Sequence, residues 1–217
     1  MLAQIQVLIT EDQSATKREM YYIAKAWQEA KFDDQPESDT ILSDIEGLLY
    51  TTIEHLGIYP EPKGGTIAGN LIIGDVDKAT GKPLKIDCSK FGSGSYQIPS
   101  RVEHLKFLKT NAKFILAIET AGAFDRLNNS GFHSKNNCIL VAMAGVPTRA
   151  CRRFIRRLSD EKKIPVIVFT DGDPYGYGNI YRTLKTGSAN AGHLNEFFSV
   201  PQAKYVGVTA QDIKDYE

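Results

Sequence analysis

Phe114-Ile-Leu-Ala-Ile-Glu119 and Pro165-Val-Ile-Val-Phe-Thr-Asp171-Gly-Asp173 decide the fold of this 217-residue chain. Each is a short apolar run that ends in acid. A strand buried in a parallel sheet reads this way, and its carboxyl end opens onto the crevice where α/β sheets bind ligands. Three carboxylates at such strand ends repel one another unless a cation or a proton joins them. Hard oxygen donors favour Mg²⁺. Glu119, Asp171 and Asp173 are therefore the candidate metal ligands, and metal-assisted phosphate chemistry is the first expectation. The plainer alternative for Asp173 alone is a helix N-cap, since an Asp after a strand often caps the next helix.

Outward from these runs, strand and helix alternate from about residue 105 to the end. Strands are expected at 114–119, 138–143, 165–171 and 204–208, and helices at about 121–129, 147–162, 176–186 and 210–217. Right-handed crossovers of this kind give a parallel, Rossmann-like sheet with helices on both faces.

The first third looks helical. Thr16-Lys-Arg-Glu19 fits a capping box, and Met20, Ile23, Ala24 and Trp27 form one apolar helical face. Lys31–Asp39 is acidic, holds Pro36 and reads as a loop. A second helix is expected from about Asp39 to His55, with Ile41, Ile45, Leu48, Leu49 and Ile53 inward. Pro60-Glu-Pro-Lys-Gly-Gly65 breaks the pattern, and Thr66–Ile73 resumes as a strand. Helices followed by a Gly-tipped hairpin suggest a winged-helix-like (CAP-like) domain over 1–78 and a parallel-sheet domain over 79–217. Residues 74–104 carry little pattern, and Gly92-Ser-Gly-Ser95 reads as a flexible loop.

No run of eighteen apolar residues exists to span a membrane, and the start shows no signal peptide. Cys88, Cys138 and Cys151 are odd in number and lack C-x-x-C spacing, which suggests reduced thiols in a cytoplasm. Net charge is zero, yet its distribution is uneven. Residues 29–46 hold seven acids and one Lys, whereas 147–163 hold seven bases and two acids. Such asymmetry creates a local positive field.

Phasing the first helix at 100° per residue puts Tyr22 nearly opposite the apolar face, with Arg18 one turn earlier. A guanidinium beside a phenol favours the oxyanion and can hold a phosphate. Tyr22 is thus the candidate nucleophile and Arg18 its electrostatic partner; the alternative is a surface Tyr stacked on Arg. On the helix expected at 147–162, Cys151, Phe154, Ile155 and Leu158 form the apolar stripe. Arg149, Arg152, Arg153, Arg156 and Arg157 crowd the rest, which suits either phosphate-backbone contact or a solvated face. Lys63-Gly-Gly65 is too short for a Walker loop; a basic wing tip or a plain turn both fit it. His55, His104, His133 and His193 lack metal-ligand spacing.

Thr16-Lys-Arg-Glu-Met-Tyr-Tyr22 resembles the active-site segment of the Spo11 meiotic recombination proteins and of the DNA topoisomerase VI A subunit. Lys63–Leu71 resembles the wing segment that follows in that family. Ile118–Leu127 resembles the first acidic motif of its Toprim domain. Pro147–Leu158, Val168–Gly176 and Phe198–Val208 resemble later segments, all in family order from residue 16 onward.

The resemblance implies that Tyr22 attacks a DNA phosphodiester to leave a 5′-phosphotyrosyl link, aided by Arg18. It implies that Glu119, Asp171 and Asp173 hold Mg²⁺; Lys63, Arg149, Arg152 and Arg153 are, from their charge and placement, the candidate contacts to double-stranded DNA. A homodimer is also implied, in which the Tyr of one protomer works with the metal site of the other. In length the chain resembles the short stand-alone A-like members, so a GHKL-type ATPase B subunit is an open partner and ATP hydrolysis by this chain is not expected. A cytoplasmic, nucleoid-associated protein is expected. Ala142–Val146 departs from the family's more polar segment there. Two rivals are a Toprim nuclease that uses water in place of Tyr22, and a DNA-binding dimer that does not cleave.

Overall fold

The computed structural model describes residues 1–29, 31–60, 63–92, 94–188 and 191–216. Glu61 and Pro62 of the expected break, and Ser93 of the expected loop, lie outside the described residues. The chain packs as two compact units, Met1–Pro62 with Ser188–Glu196, and Lys63–Gly187 with Phe197–Glu217.

The first unit holds α1 (Leu2–Thr10), β1 (Ala15–Thr16), α2 (Lys17–Lys25), α3 (Gln35–Leu49) and β2 (Ile58–Tyr59). β1 runs parallel to β2, with Ala15 opposite Ile58. Ile5, Leu8, Met20, Leu42, Ile45, Ile53, Leu56 and Ile58 form its core. The helix α1 goes beyond the sequence expectation; it buries Ile5 and Leu8.

α2 starts where the capping box predicts. Glu19 N donates to Thr16 Oγ1 at 3.1 Å, and Thr16 N donates to Glu19 Oε2 at 2.6 Å. These bonds satisfy two of the orphan N–H groups of a helix start, and the bond from the Thr16 backbone holds the Glu19 carboxyl below its usual range.

α3 departs from expectation in start and phase. It begins at Gln35, capped by the Asp34 side chain on Glu37 N. Pro36 is no breaker, because in the first turn its missing N–H would have no partner anyway. Ile41, Leu48 and Leu49, expected inward, are exposed. The helix stops at Leu49, and Glu46 turns in to accept from Ile53 N at 2.8 Å. That bond completes the buried side of the last turn in place of the two leucines.

The second unit holds β3 (Lys63–Gly69), β4 (Leu71–Val76), β5 (Pro83–Asp87), β6 (Tyr96–Pro99), β7 (Lys106–Thr110), β8 (Ile115–Ile118), α4 (Ala121–Asn129), α5 (Phe132–Asn136), β9 (Ile139–Ala142), α6 (Arg149–Lys162), β10 (Val166–Phe169) and α7 (Arg182–Thr186). A π-helix, Gly176–Tyr181, leads into α7. The short α8 (Asn195–Phe198), β11 (Lys204–Gly207) and α9 (Ala210–Tyr216) follow.

Six strands form one sheet in the order β11-β10-β8-β9-β3-β6, with β11, β10, β8 and β9 mutually parallel. Strand alternation divides their side chains between two cores. Ile115, Ala117, Ile139, Val141, Val166 and Val168 meet Cys151, Phe154, Ile155 and Leu158 of α6. Leu116, Ile118, Leu140 and Ala142 meet Phe124 of α4 on the other face. Helices thus cover both faces, as the apolar runs predict. Cys88, Cys138 and Cys151 are free and buried; burial pushes the Cys88 thiol up to about 12 and Cys138 to about 11.

The segment expected as a wing strand, Thr66–Ile73, is two strands in two sheets. β3 runs antiparallel to β9 (Thr66 opposite Ala142, Gly69 opposite Ile139) and joins the six-stranded sheet. β4 lies in a three-stranded sheet, β5-β4-β7. Lys63-Gly-Gly65 is therefore no wing tip. A Cβ on Gly64 would sit 2.8 Å from Ala150 Cβ and 2.9 Å from Cys151 N, so the glycine lets β3 pack closely on α6. A division at 78/79 would fall inside the β4–β5 hairpin, whose strands pair from Ile72–Asp87 to Val76–Pro83. Among the described residues no helix is long and apolar enough to cross a membrane.

Candidate active site

The acids sit at the carboxyl ends of neighbouring strands. β8 and β10 pair in parallel from Ile115–Val166 to Ile118–Phe169, so Glu119 and the Thr170-Asp171-Gly172-Asp173 loop leave the sheet side by side. Backbone bonds fix both exits. Glu119 N donates to Phe169 O at 3.0 Å, and Gly145 N donates to Glu119 O at 3.0 Å. Thr170 N donates to Gly207 O at 2.9 Å, and Val208 N to Thr170 O at 2.8 Å.

The acids then touch through one bond. Asp171 N donates to Glu119 Oε2 at 2.9 Å. Asp173 Oδ1 accepts from Gly176 N at 2.7 Å, so the capping role is present. Asp171 and Asp173 are exposed, while Glu119 is half-buried. Burial holds the Glu119 carboxyl above its ordinary value. The charges of Asp171 and Asp173 push the same way, and the Asp171 N–H opposes them.

Gly176 closes the site from behind. A Cβ there would lie 2.7 Å from Asp171 O and 3.0 Å from Glu119 Oε2. The chain can pass this close only because the residue has no side chain.

Among the described residues no three His, Cys, Asp or Glu side chains form a ready ligand cluster. The donor set is nevertheless oxygen-only and mutually repelling. Mg²⁺ usually keeps several waters and takes one or two carboxylates plus substrate phosphates. An open row of strand-end acids fits that habit better than it fits a closed cage.

Tyr22 and Arg18 lie on α2 in the first unit. Tyr22 is 52 % exposed, so its phenol is open to a polymer. Arg18 donates to Tyr22 Oη from Nη2 at 3.2 Å and from Nε at 3.4 Å. This bond holds the Arg18 guanidinium above its ordinary value. Tyr21, beside it, turns its hydroxyl to Asp33 O instead. The structure thus pairs Arg18 with Tyr22, and separately pairs Glu119 with Asp171.

The arginines of α6 are placed differently from the open basic face that their number suggests. Arg152 is buried. Arg153 pairs with Glu103 through Nε and also donates to Phe197 O at 3.2 Å. Arg156 bonds Asp160 and donates to Ser199 O at 2.7 Å. Arg157 donates to Val102 O at 2.6 Å and Leu105 O at 3.2 Å. Arg149 and Arg152 both lie over the Phe198 ring, at 4.6 Å and 5.6 Å. Most of this charge is turned onto the protein's own backbone, acids and rings. Lys63 is exposed at the start of β3.

Two site residues have no signal in the sequence. Thr170 is fully buried, and its hydroxyl lies 3.2 Å from Asp171 O and 3.4 Å from Tyr205 Oη. Tyr205 Oη donates to Val208 O at 2.8 Å. The Tyr205 ring also packs on Tyr177 and Tyr181, each with centroids 5.3 Å away. The contact depends on the β10–β11 register, which no local pattern reveals.

The α/β unit thus presents strand-end acids, and the helical unit displays an Arg-Tyr pair. Three family models cover nearly the whole chain. Residues 1–58 match Type IIB DNA topoisomerase, 61–111 match the all-beta domain in DNA topoisomerase VI alpha subunit, and 114–217 match the Toprim domain of the topoisomerase 6 A-subunit/Spo11 group. The chain belongs to the A-subunit/Spo11 family of DNA topoisomerase VI. It is 51 % identical, over its whole length, to a Methanocaldococcus jannaschii protein named as the A subunit of type 2 DNA topoisomerase 6, and spans 58 % of that relative. It is 42 % identical to the protein of the same name from Archaeoglobus fulgidus, over 95 % of this chain and 57 % of the relative. The chain therefore spans a little over half the length of these relatives.

Proposed function

We propose that this chain cleaves double-stranded DNA by transesterification at Tyr22, as the DNA-cleaving part of a topoisomerase VI-type enzyme. The observation that carries this reading is the Arg18–Tyr22 contact on the exposed face of α2, 3.2 Å from Nη2 to Oη. A phenol that is accessible and already bonded to a cation is a positioned nucleophile. Its oxygen forms a bond to phosphorus as the bond from phosphorus to the 3′ oxygen breaks. The phenol proton is lost and the 3′ oxygen gains one. One ester replaces another, so neither water nor an oxidant is consumed, and the 5′-phosphotyrosyl product can be religated. Arg18 donates to the charge that builds on the phosphate.

Glu119, Asp171 and Asp173 are the residues that would hold Mg²⁺, which supplies charge stabilisation at the phosphate and the leaving oxygen. The Asp171 N–Glu119 bond orients one carboxylate of that set. A homodimer, in which the Tyr22 of one copy serves the acids of the other, cuts both strands. Because the relatives are named as A subunits, a GHKL-type ATPase B subunit is the partner for any strand passage.

The test is incubation of the protein and its Tyr22→Phe variant with end-labelled duplex and Mg²⁺, followed by denaturation. Protein–DNA adducts in the parent that vanish in the variant are expected. Cleavage that survives in the variant would sink the reading in favour of a water-using nuclease, and intact binding without scission would favour a non-cleaving dimer.

A further inference from the structure

We infer that the outward face of the three-stranded sheet β5-β4-β7 is a second contact surface for the phosphate backbone of duplex DNA, apart from the cleavage site. The choice of duplex DNA as occupant rests on the function proposed above. Residues directly opposite in neighbouring strands point to the same face. Gly74 of β4 lies opposite Lys85 of β5 and Lys106 of β7. Ile72 lies opposite Asp87 and Lys109. The reverse face sends Ile73 and Phe107 into the core, with Ile86 packed against it. Lys85, Lys106 and Lys109 are therefore displayed together on the side away from the core, and all three are exposed.

The floor between them is low and apolar. A register shift at Ile72/Ile73 inserts Leu108 into β7. A Cβ on Gly74 would meet the Leu108 side chain at 3.2 Å, so Leu108 lies across the glycine. Strands about 4.8 Å apart place the backbones of Lys85 and Lys106 roughly 10 Å from each other. A duplex carries one negative charge per about 1.7 Å of axis, so three lysines on this face meet several phosphates at once.

The charge balance points to a polyanion. Residues 71–113 hold eight basic and four acidic residues, in a chain of zero net charge. The acids there are engaged or face elsewhere. Glu103 is held by Arg153 and Arg157. Asp87 accepts from the Ser89 hydroxyl and pairs with Lys90 at 3.2 Å. Asp77 accepts from Ala79 N in the β4–β5 turn. Asp75 lies opposite Leu84, on the reverse face. Lys85, Lys106 and Lys109 form no ion pair among the described residues. Lys78 and Lys82, in and beside the β4–β5 turn, extend the same positive field.

The test is the salt dependence of duplex binding by the full chain, read as fluorescence anisotropy of a labelled duplex. A K85Q/K106Q/K109Q variant should flatten the plot of log K against log salt by about 2–3 units, equally for unrelated sequences. K31Q/K204Q/K214Q should leave the slope unchanged, and K85R/K106R/K109R should keep the parent slope. An unchanged slope in the glutamine variant overturns the inference, including where the lysines hold an acidic protein instead. Adduct formation at Tyr22 is scored on the same samples. A flattened slope with no adducts in the parent leaves this surface standing while the cleavage reading falls; adducts with an unchanged slope do the reverse.

Discussion

Arg18 and Tyr22 are joined by a forked contact across one turn of α2, with both Nη2 and Nε facing the same phenol oxygen. A lysine has no such fork. Arg18→Lys should therefore slow adduct formation nearly as much as Arg18→Ala, by about 100-fold or more, the scale of losing one preorganised donor. Both residues are exposed, so stability should change by less than about 0.5 kcal/mol. Single-turnover cleavage rates beside thermal melts check the two parts separately.

Gly176→Ala forces a methyl between Asp171 O and Glu119 Oε2. Crowding of this kind costs about 1–3 kcal/mol. The strain falls on the bond that aligns the acids, so cleavage should drop further than stability, and extra Mg²⁺ should restore part of it. Gly178 has open space around its Cβ position; Gly178→Ala is the control that should leave cleavage unaffected.

The raised Glu119 carboxyl sets a pH signature. Its folded form prefers the proton, so its contribution to stability is fully present below the ordinary carboxylate value. That contribution is lost as pH rises through the elevated folded value. Glu119→Gln should thus melt higher than the parent at neutral pH, with the gap closing in acid. Adding Mg²⁺ at neutral pH should raise the melting temperature of the parent and not of the variant. Melting curves across pH, with and without Mg²⁺, check both outcomes.

Tyr205→Phe removes one hydroxyl and keeps the ring stack on Tyr177 and Tyr181. Loss of the bond to Val208 O, and of the contact with Thr170, should cost about 1 kcal/mol. Thr170 precedes the acids, so the Mg²⁺ concentration for half-maximal cleavage should rise while DNA affinity holds. A titration of cleavage against Mg²⁺ beside DNA-binding anisotropy checks this.

Much of the second unit is legible in the sequence because its signals are local. Short apolar runs, two of them ending in acid and all spaced by amphipathic segments, locate β8, β9, β10 and α4 within a residue or two. The capping box likewise locates α2. Three kinds of feature are not legible. The phase of α3 depends on which side finds neighbours, and there Glu46 displaces Leu48 and Leu49. The split of Thr66–Ile73 depends on β3 finding β9, a partner far along the chain. Side-chain destinations on α6 depend on acids and carbonyls brought by other segments, so counting arginines overstates the charge offered to solvent. The strand-end placement of the candidate acids Glu119, Asp171 and Asp173 is readable from the apolar runs, whereas the contact of Thr170 with Tyr205 needs the register of β10 with β11.

The inward-turned arginines of α6 carry a warning for mutagenesis. An alanine scan along Arg152, Arg153, Arg156 and Arg157 would yield variants that fail to bind DNA, and the helix would be mapped as an interface. Such failures would mix lost ligand contacts with a loosened scaffold, because each guanidinium ties down a neighbouring chain segment or lies buried. Only a scan normalised to the folded fraction tells lost ligand contacts from lost internal bracing.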